Sequence, residues 1–149
     1  MSAADVQRSK HEFVLGDQND WVVQALHFHC DSGILSRYFL RLDAAHSART
    51  VEVLFFHYAS DSGKPPDPSV VDIDTIPDED VIYRETGIVL NPSATGAHSY
   101  DFILNDGGKD WVAEYRTGRM HFKPYVAVRP TSAAATGYKV YGVVFSREA

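Results

Sequence analysis

The stretch Trp111 to Pro130, WVAEYRTGRMHFKPYVAVRP, decides the fold class. Its side chains alternate with a two-residue period, as a half-buried antiparallel strand requires. Trp111, Ala113 and Tyr115 share one face, and Val112, Glu114 and Arg116 share the other. Thr117-Gly118-Arg119 reads as a turn, since glycine takes a positive φ at little steric cost. The return strand sets Met120, Phe122, Val126 and Val128 against His121, Lys123, Tyr125 and Arg129. Pro124 removes one ladder donor, so an edge or a bulge is expected there.

Outward from this hairpin, similar runs recur. Glu12 to Leu15, Trp21 to Cys30, Ile34 to Leu42 and Thr50 to Tyr58 read as strands, the last being the most β-prone run of the chain. Asp31-Ser32-Gly33 reads as a turn between two of them. Val70 to Ile76 alternates acidic and apolar residues, beyond a proline-rich surface loop. Val81 to Arg84, Gly87 to Leu90 and Tyr138 to Phe145 are further strands. Asn105-Asp106-Gly107-Gly108 signals a hairpin joining Ser99–Leu104 to Trp111 onward. Eight to ten short strands with turns at this spacing read as an all-β antiparallel sandwich or jelly roll. Met1 to Lys10 is polar and charged and reads as a flexible arm, leaving residues 11–149 as one domain.

At 149 residues, with 44% hydrophobic side chains, the chain can bury roughly 70% of its unfolded surface. The net charge of −6 argues against general nucleic-acid binding, which needs a broad basic surface. A lone cysteine, Cys30, allows no internal disulfide. No apolar leader or membrane-length run is present, so a protein made in the cytoplasm and not inserted in a membrane is expected.

No catalytic signature emerges. His27 and His29 leave one face of one strand and, with His57, would make three imidazoles of a metal site. The following Cys-Asp-Ser-Gly supplies no glutamate at the spacing of a cupin, so no metal or cofactor is expected. The acidic run Asp72, Asp74, Asp78, Glu79, Asp80 lacks the central glycine of a calcium loop and reads as a solvated edge. Trp21, Trp111, Tyr115 and Tyr125 could stack on sugars or pack internally.

Charge is unevenly placed. Residues 65–110 carry ten acidic side chains against Arg84 and Lys109, a net of −8. Residues 111–130 carry Arg116, Arg119, Lys123 and Arg129 against Glu114, a net of +3. This polarity suits docking on a partner, or it is satisfied internally across the sheet; both readings stay open.

The order of Val51–Ser62, Asp80-Val81-Ile82, Tyr115-Arg116-Thr117-Gly118 and Phe122-Lys123-Pro124-Tyr125-Val126-Ala127-Val128-Arg129 resembles the small jelly-roll decoration, or cement, proteins of tailed bacteriophage heads. The likeness spans roughly residues 50–146. It implies a non-enzymatic structural protein of the virion, made in the host cytoplasm. Such a protein binds the capsid exterior, bridges neighbouring major capsid subunits and is a dimer or trimer there. The partner surface expected is Arg116, Arg119, Lys123 and Arg129, with Gln7, Arg8 and Lys10 of the arm. The first fifty residues and the proline-rich loop depart from the pattern. A carbohydrate-binding sandwich of an adhesin is the alternative, and a cupin-type metal enzyme the third.

Overall fold

The computed structural model describes residues 6–28, 32–43, 47–60, 64–92, 97–112, 114–115, 121–132 and 137–147. Ten strands run through them: β1 (Val6–Val14), β2 (Val22–Ala25), β3 (Ser32–Leu42), β4 (Arg49–Ser60), β5 (Val81–Leu90), β6 (His98–Asp101), β7 (Lys109–Val112), β8 (Glu114–Tyr115), β9 (His121–Pro130) and β10 (Lys139–Arg147). A short helix, α1 (Phe102–Asp106), separates β6 from β7. Sheet A has the order β1-β10-β3-β6, with β7 also on β3. Sheet B has the order β2-β9-β4-β5, with β8 also on β9. All pairings are antiparallel, and the first and last strands lie side by side. This is the double-sheet jelly roll that the strand spacing led us to expect.

The main core lies between the sheets. Phe13, Leu35, Tyr38, Leu40, Leu42, Val140 and Val144 of sheet A meet Val51, Val53, Phe55, Ile88, Val126 and Val128 of sheet B. A second core lies on the opposite side of sheet B. There Leu54, Phe56, Tyr125 and Ala127 are covered by Trp21 and by Ile73, with Val71 and Ile76 packed alongside. The molecule therefore has three layers: sheet A, sheet B, and a lobe made of residues 64–80. That lobe is not a strand, as the alternation of Val70–Ile76 suggests, but two 3-10 turns, Ile73–Thr75 and Asp78–Asp80.

This third layer explains why Tyr125 is buried and not on a polar outer face. β9 is a central strand covered on both sides, so residues 124–128 are a continuous buried run. Pro124 nevertheless finds a local edge. Along the side of β9 away from β4, β8 pairs at His121 and Phe122 and β2 begins at Tyr125, leaving Pro124 between them. Its carbonyl accepts from the Leu26 N–H at 3.3 Å on that side, so the missing donor faces the gap.

The hairpin expected from Trp111 is divided between the sheets. Trp111 pairs with Gly33 in sheet A, whereas Glu114 and Tyr115 pair with Phe122 and His121 in sheet B. The turn Thr117–Arg119 lies outside the described residues. Trp111 is 2% exposed and packs 5.0 Å from the Phe28 ring. A Cβ at Gly33 would meet the indole at 3.1 Å and the Arg147 carbonyl at 2.8 Å. Gly33 is thus a strand glycine that admits the indole, not a turn residue. Asn105-Asp106-Gly107-Gly108 likewise joins no hairpin: β6 and β7 both pair with β3. Asp101 caps α1 by accepting from the Leu104 N–H, and Gly107 ends it at φ +70°.

The flexible-arm boundary is corrected too. Val6–Lys10 belongs to β1 and pairs with β10, from Val6↔Arg147 to Lys10↔Val143. Arg8, Lys10 and Glu12 point outward, while Ser9, His11 and Phe13 are buried. The alternation hides from a hydrophobicity reading because two of its three buried positions are polar.

Candidate docking faces

Sheet B and sheet A turn chemically opposite exteriors outward. Over sheet B, the lobe carries Asp67, Asp72, Asp74, Asp78, Glu79 and Asp80 against Lys64, a net of −5. It is fixed to the sheet by a polar cluster around Arg129. The Arg129 Nε donates to Glu52 Oε1 at 2.6 Å, and its Nη1 reaches both Asp74 carboxylate oxygens at 3.2 Å. The guanidinium lies 4.4 Å from the centre of the Trp21 ring, a cation–π distance. Trp21 Nε1 donates to Asp74 Oδ1 at 3.3 Å, and Tyr125 Oη donates to the Lys64 carbonyl at 3.2 Å. Glu52 is 3% exposed, and Arg84 stands 3.8 Å from its second oxygen. Arg129, expected on a partner-binding surface, is therefore engaged inside the molecule. A buried carboxylate needs such a cation, and β9 supplies it directly across from Glu52.

The other sequence candidates separate. Lys123 is half-buried opposite Tyr58. Arg116 and Arg119 lie outside the described residues. Gln7 is half-buried, whereas Arg8 and Lys10 are exposed on the outer face of β1. Of the three histidines, His29 lies outside the described residues. His27 stacks 6.5 Å from His11, and His57 sits in β4 opposite Pro124. Among the described residues, no three His, Cys, Asp or Glu side chains converge where a metal could be held. Trp21, Trp111 and Tyr125 are all buried, which removes them as open platforms for a sugar ring. A cleft of about 680 Å³ beside the lobe is lined by Asp20, Trp21, Asp67, Asp72 and Asp74.

The exterior of sheet A is built from strands far apart in the chain. β1 contributes Arg8 and Lys10, β3 contributes Arg37 and Arg41, and β10 contributes Lys139 and Arg147. Against these six stand Glu12, Asp101 and, on β7 opposite Ile34, exposed Asp110, a net of +3 on a chain of −6. Two of these acids are paired with cations of the face: Lys139 lies 3.2 Å from Glu12, and Arg37 lies 2.6 Å from Asp101. Asp101 is held below the ordinary carboxylate range by Arg37 and then by the Leu104 N–H. Between the cations run half-buried Phe39, Tyr141, Val143 and Phe145. Phe39 and Phe145 meet edge to face at 5.8 Å, and Arg41 lies 5.1 Å over Tyr141. At one end, Val6, Phe39, Ile103 and Phe145 line a groove of about 340 Å³ that Arg37 borders.

Where β1 meets β2, a hydroxyl–imidazole–amide chain closes the sandwich. Ser9 Oγ lies 2.8 Å from His11 Nε2, and His11 Nδ1 lies 3.1 Å from Gln24 Oε1. Gln24 Nε2 donates to the Glu12 carbonyl, and the His27 N–H donates to Ser9 Oγ at 3.0 Å. The order is that of an activated nucleophile, but Ser9 is 2% and His11 6% exposed. A neutral amide stands where a carboxylate would stabilise imidazolium. Neutral His11, protonated at Nδ1, satisfies every group, so the chain acts as a clasp. Burial lowers the His11 pKa, as does His27, against a raising effect of Gln24.

Among the described residues no helix is long and apolar enough to cross a membrane. No protein-family model matches the chain, and no curated protein matches it in sequence.

Proposed function

We propose that this protein is a non-enzymatic capsid decoration protein that binds the outer surface of a bacteriophage head and bridges neighbouring major capsid subunits. The observation that carries the reading is the pair of opposed exteriors on one body. A bridge needs two contact surfaces held at fixed separation, and here a basic aromatic face and an acidic lobe stand on opposite sides of two packed sheets. The jelly roll, the resemblance over residues 50–146 and the inward use of Trp21, Trp111 and Tyr125 agree with it. Fold alone would not, because jelly rolls also serve lectins and cupins.

The experiment is co-sedimentation of purified protein with phage heads that lack it. Decoration requires binding that saturates at a fixed ratio to the major capsid protein. Protein that stays in the supernatant at all concentrations, or pellets without a plateau, overturns the reading.

A further inference from the structure

We infer that the acidic lobe of one copy docks on the exterior of sheet A of a second copy, head to tail. Both halves of the contact are present in one chain. The lobe carries a net charge of −5 and the sheet face +3, so two copies of a −6 chain attract in this orientation and repel in most others. The apolar parts match as well. Val70, 82% exposed on the lobe, stands between Asp67 and Asp72. The groove at Val6, Phe39, Ile103 and Phe145 is a recess for such a side chain, with Arg37 at its border and Arg8 directly across the strand pair from Phe145.

Lobe and face lie on opposite sides of the molecule, so the contact is not self-complementary. Each added copy leaves one face and one lobe open, which gives rows or a closed ring, not an isolated two-fold dimer. On a shell, the same contact would link neighbouring decoration copies laterally. The pairing itself needs no shell, so it stands or falls separately from the decoration reading.

The test is sedimentation velocity on the full chain at about 0.01 M salt, where the Debye length is about 30 Å. The wild type should sediment faster as its concentration rises from about 10 μM to about 1 mM, a weak association of about 4–7 kcal/mol. About 0.5 M salt should reverse most of that rise. The double reversal Arg8→Glu/Lys10→Glu takes the face from a net +3 to −1, and Asp78→Lys/Glu79→Lys takes the lobe from −5 to −1 without touching the hydrogen bonds of Asp67, Asp72 or Asp74. Each variant alone should remain monomeric with an unchanged unfolding midpoint. Mixed, they should associate at least tenfold more tightly than either does alone, because the intact lobe of the face variant meets the intact face of the lobe variant. Val70→Asp, at an exposed position, should weaken wild-type association without changing stability. A wild type that shows no concentration dependence, or a mixture that behaves as the sum of its parts, overturns the inference. Association undiminished in the face variant alone would place the contact elsewhere and overturn it too.

Discussion

Arg129 and Arg37 both project from the exterior of a sheet, and they do different work. Arg129, on sheet B, is roofed by Trp21 and bonded to Glu52 and Asp74; its side chain is 18% exposed. Arg37, on sheet A, keeps its side chain 48% exposed beside Asp101. The third layer makes the difference. Where residues 64–80 fold over the sheet, a cation becomes a rivet between layers, and where nothing covers it, a cation remains available to a partner. A charge count along the chain cannot tell these apart, because both residues add one positive charge to it.

The comparison breaks first, and most severely, at Arg129. Replacing it with alanine leaves Glu52 buried with only Arg84 nearby, and the unfolding free energy should fall by about 3–5 kcal/mol. Equilibrium urea denaturation measures this, and a loss below about 1 kcal/mol would mean the cluster is not a rivet. Next in size is Ile73→Ala, which removes the lobe's fully buried side chain from the second core. An integral third layer requires a loss of about 2–5 kcal/mol, together with faster amide exchange at Thr75 and Ile76, whose N–H groups close the turn. Unchanged stability would make the lobe an appendage.

The clasp at the other end of the sandwich should respond to pH. The folded pKa of His11 lies below its unfolded value of 6.5, so the unfolded chain binds the extra proton first as pH falls. Stability present above pH 6.5 should therefore decline as pH drops through 6.5 toward the folded pKa. His11→Gln, which cannot titrate, should show a shallower slope in chemical denaturation between pH 7 and 5. Equal slopes would remove His11 as the source. The smallest effect belongs to the open face: Arg37→Ala should change stability by only about 0–1 kcal/mol, as exposed ion pairs do. A larger loss would mean that this face, too, is engaged internally.

β3 and β10 were legible in the sequence because each alternates large apolar side chains toward one core, and β4 and β9 because each is a long β-prone run that feeds both cores. β1 was not, since Ser9 and His11 fill buried places that pattern reading assigns to apolar residues. The hairpin at Trp111 was misjoined for a different reason. Periodicity places a residue on a face but does not say which neighbour it pairs with, and Gly33 makes room for that indole in the other sheet. The lobe's role rests on Ile73 and Trp21, a contact across the fold that no local window contains. The basic face was half legible: Arg8 and Lys10 were named, but as part of an arm. Arg41, Lys139 and Arg147 join them only when β1, β10 and β3 come side by side.

That β1 is a strand also separates two truncations. Removing residues 1–10 would strip paired residues from sheet A, whereas removing residues 1–5 leaves β1 whole. Only the shorter deletion asks whether the chain start contributes to binding without disturbing the sandwich.

The proposed role is mechanical: the protein bridges shell subunits and so holds the shell together. Its most direct measurement is the temperature at which phage heads release their DNA, with and without saturating protein on their surface. A bridge must raise that temperature in proportion to occupancy. Heads that are fully decorated yet rupture at the same temperature as bare ones would contradict the account.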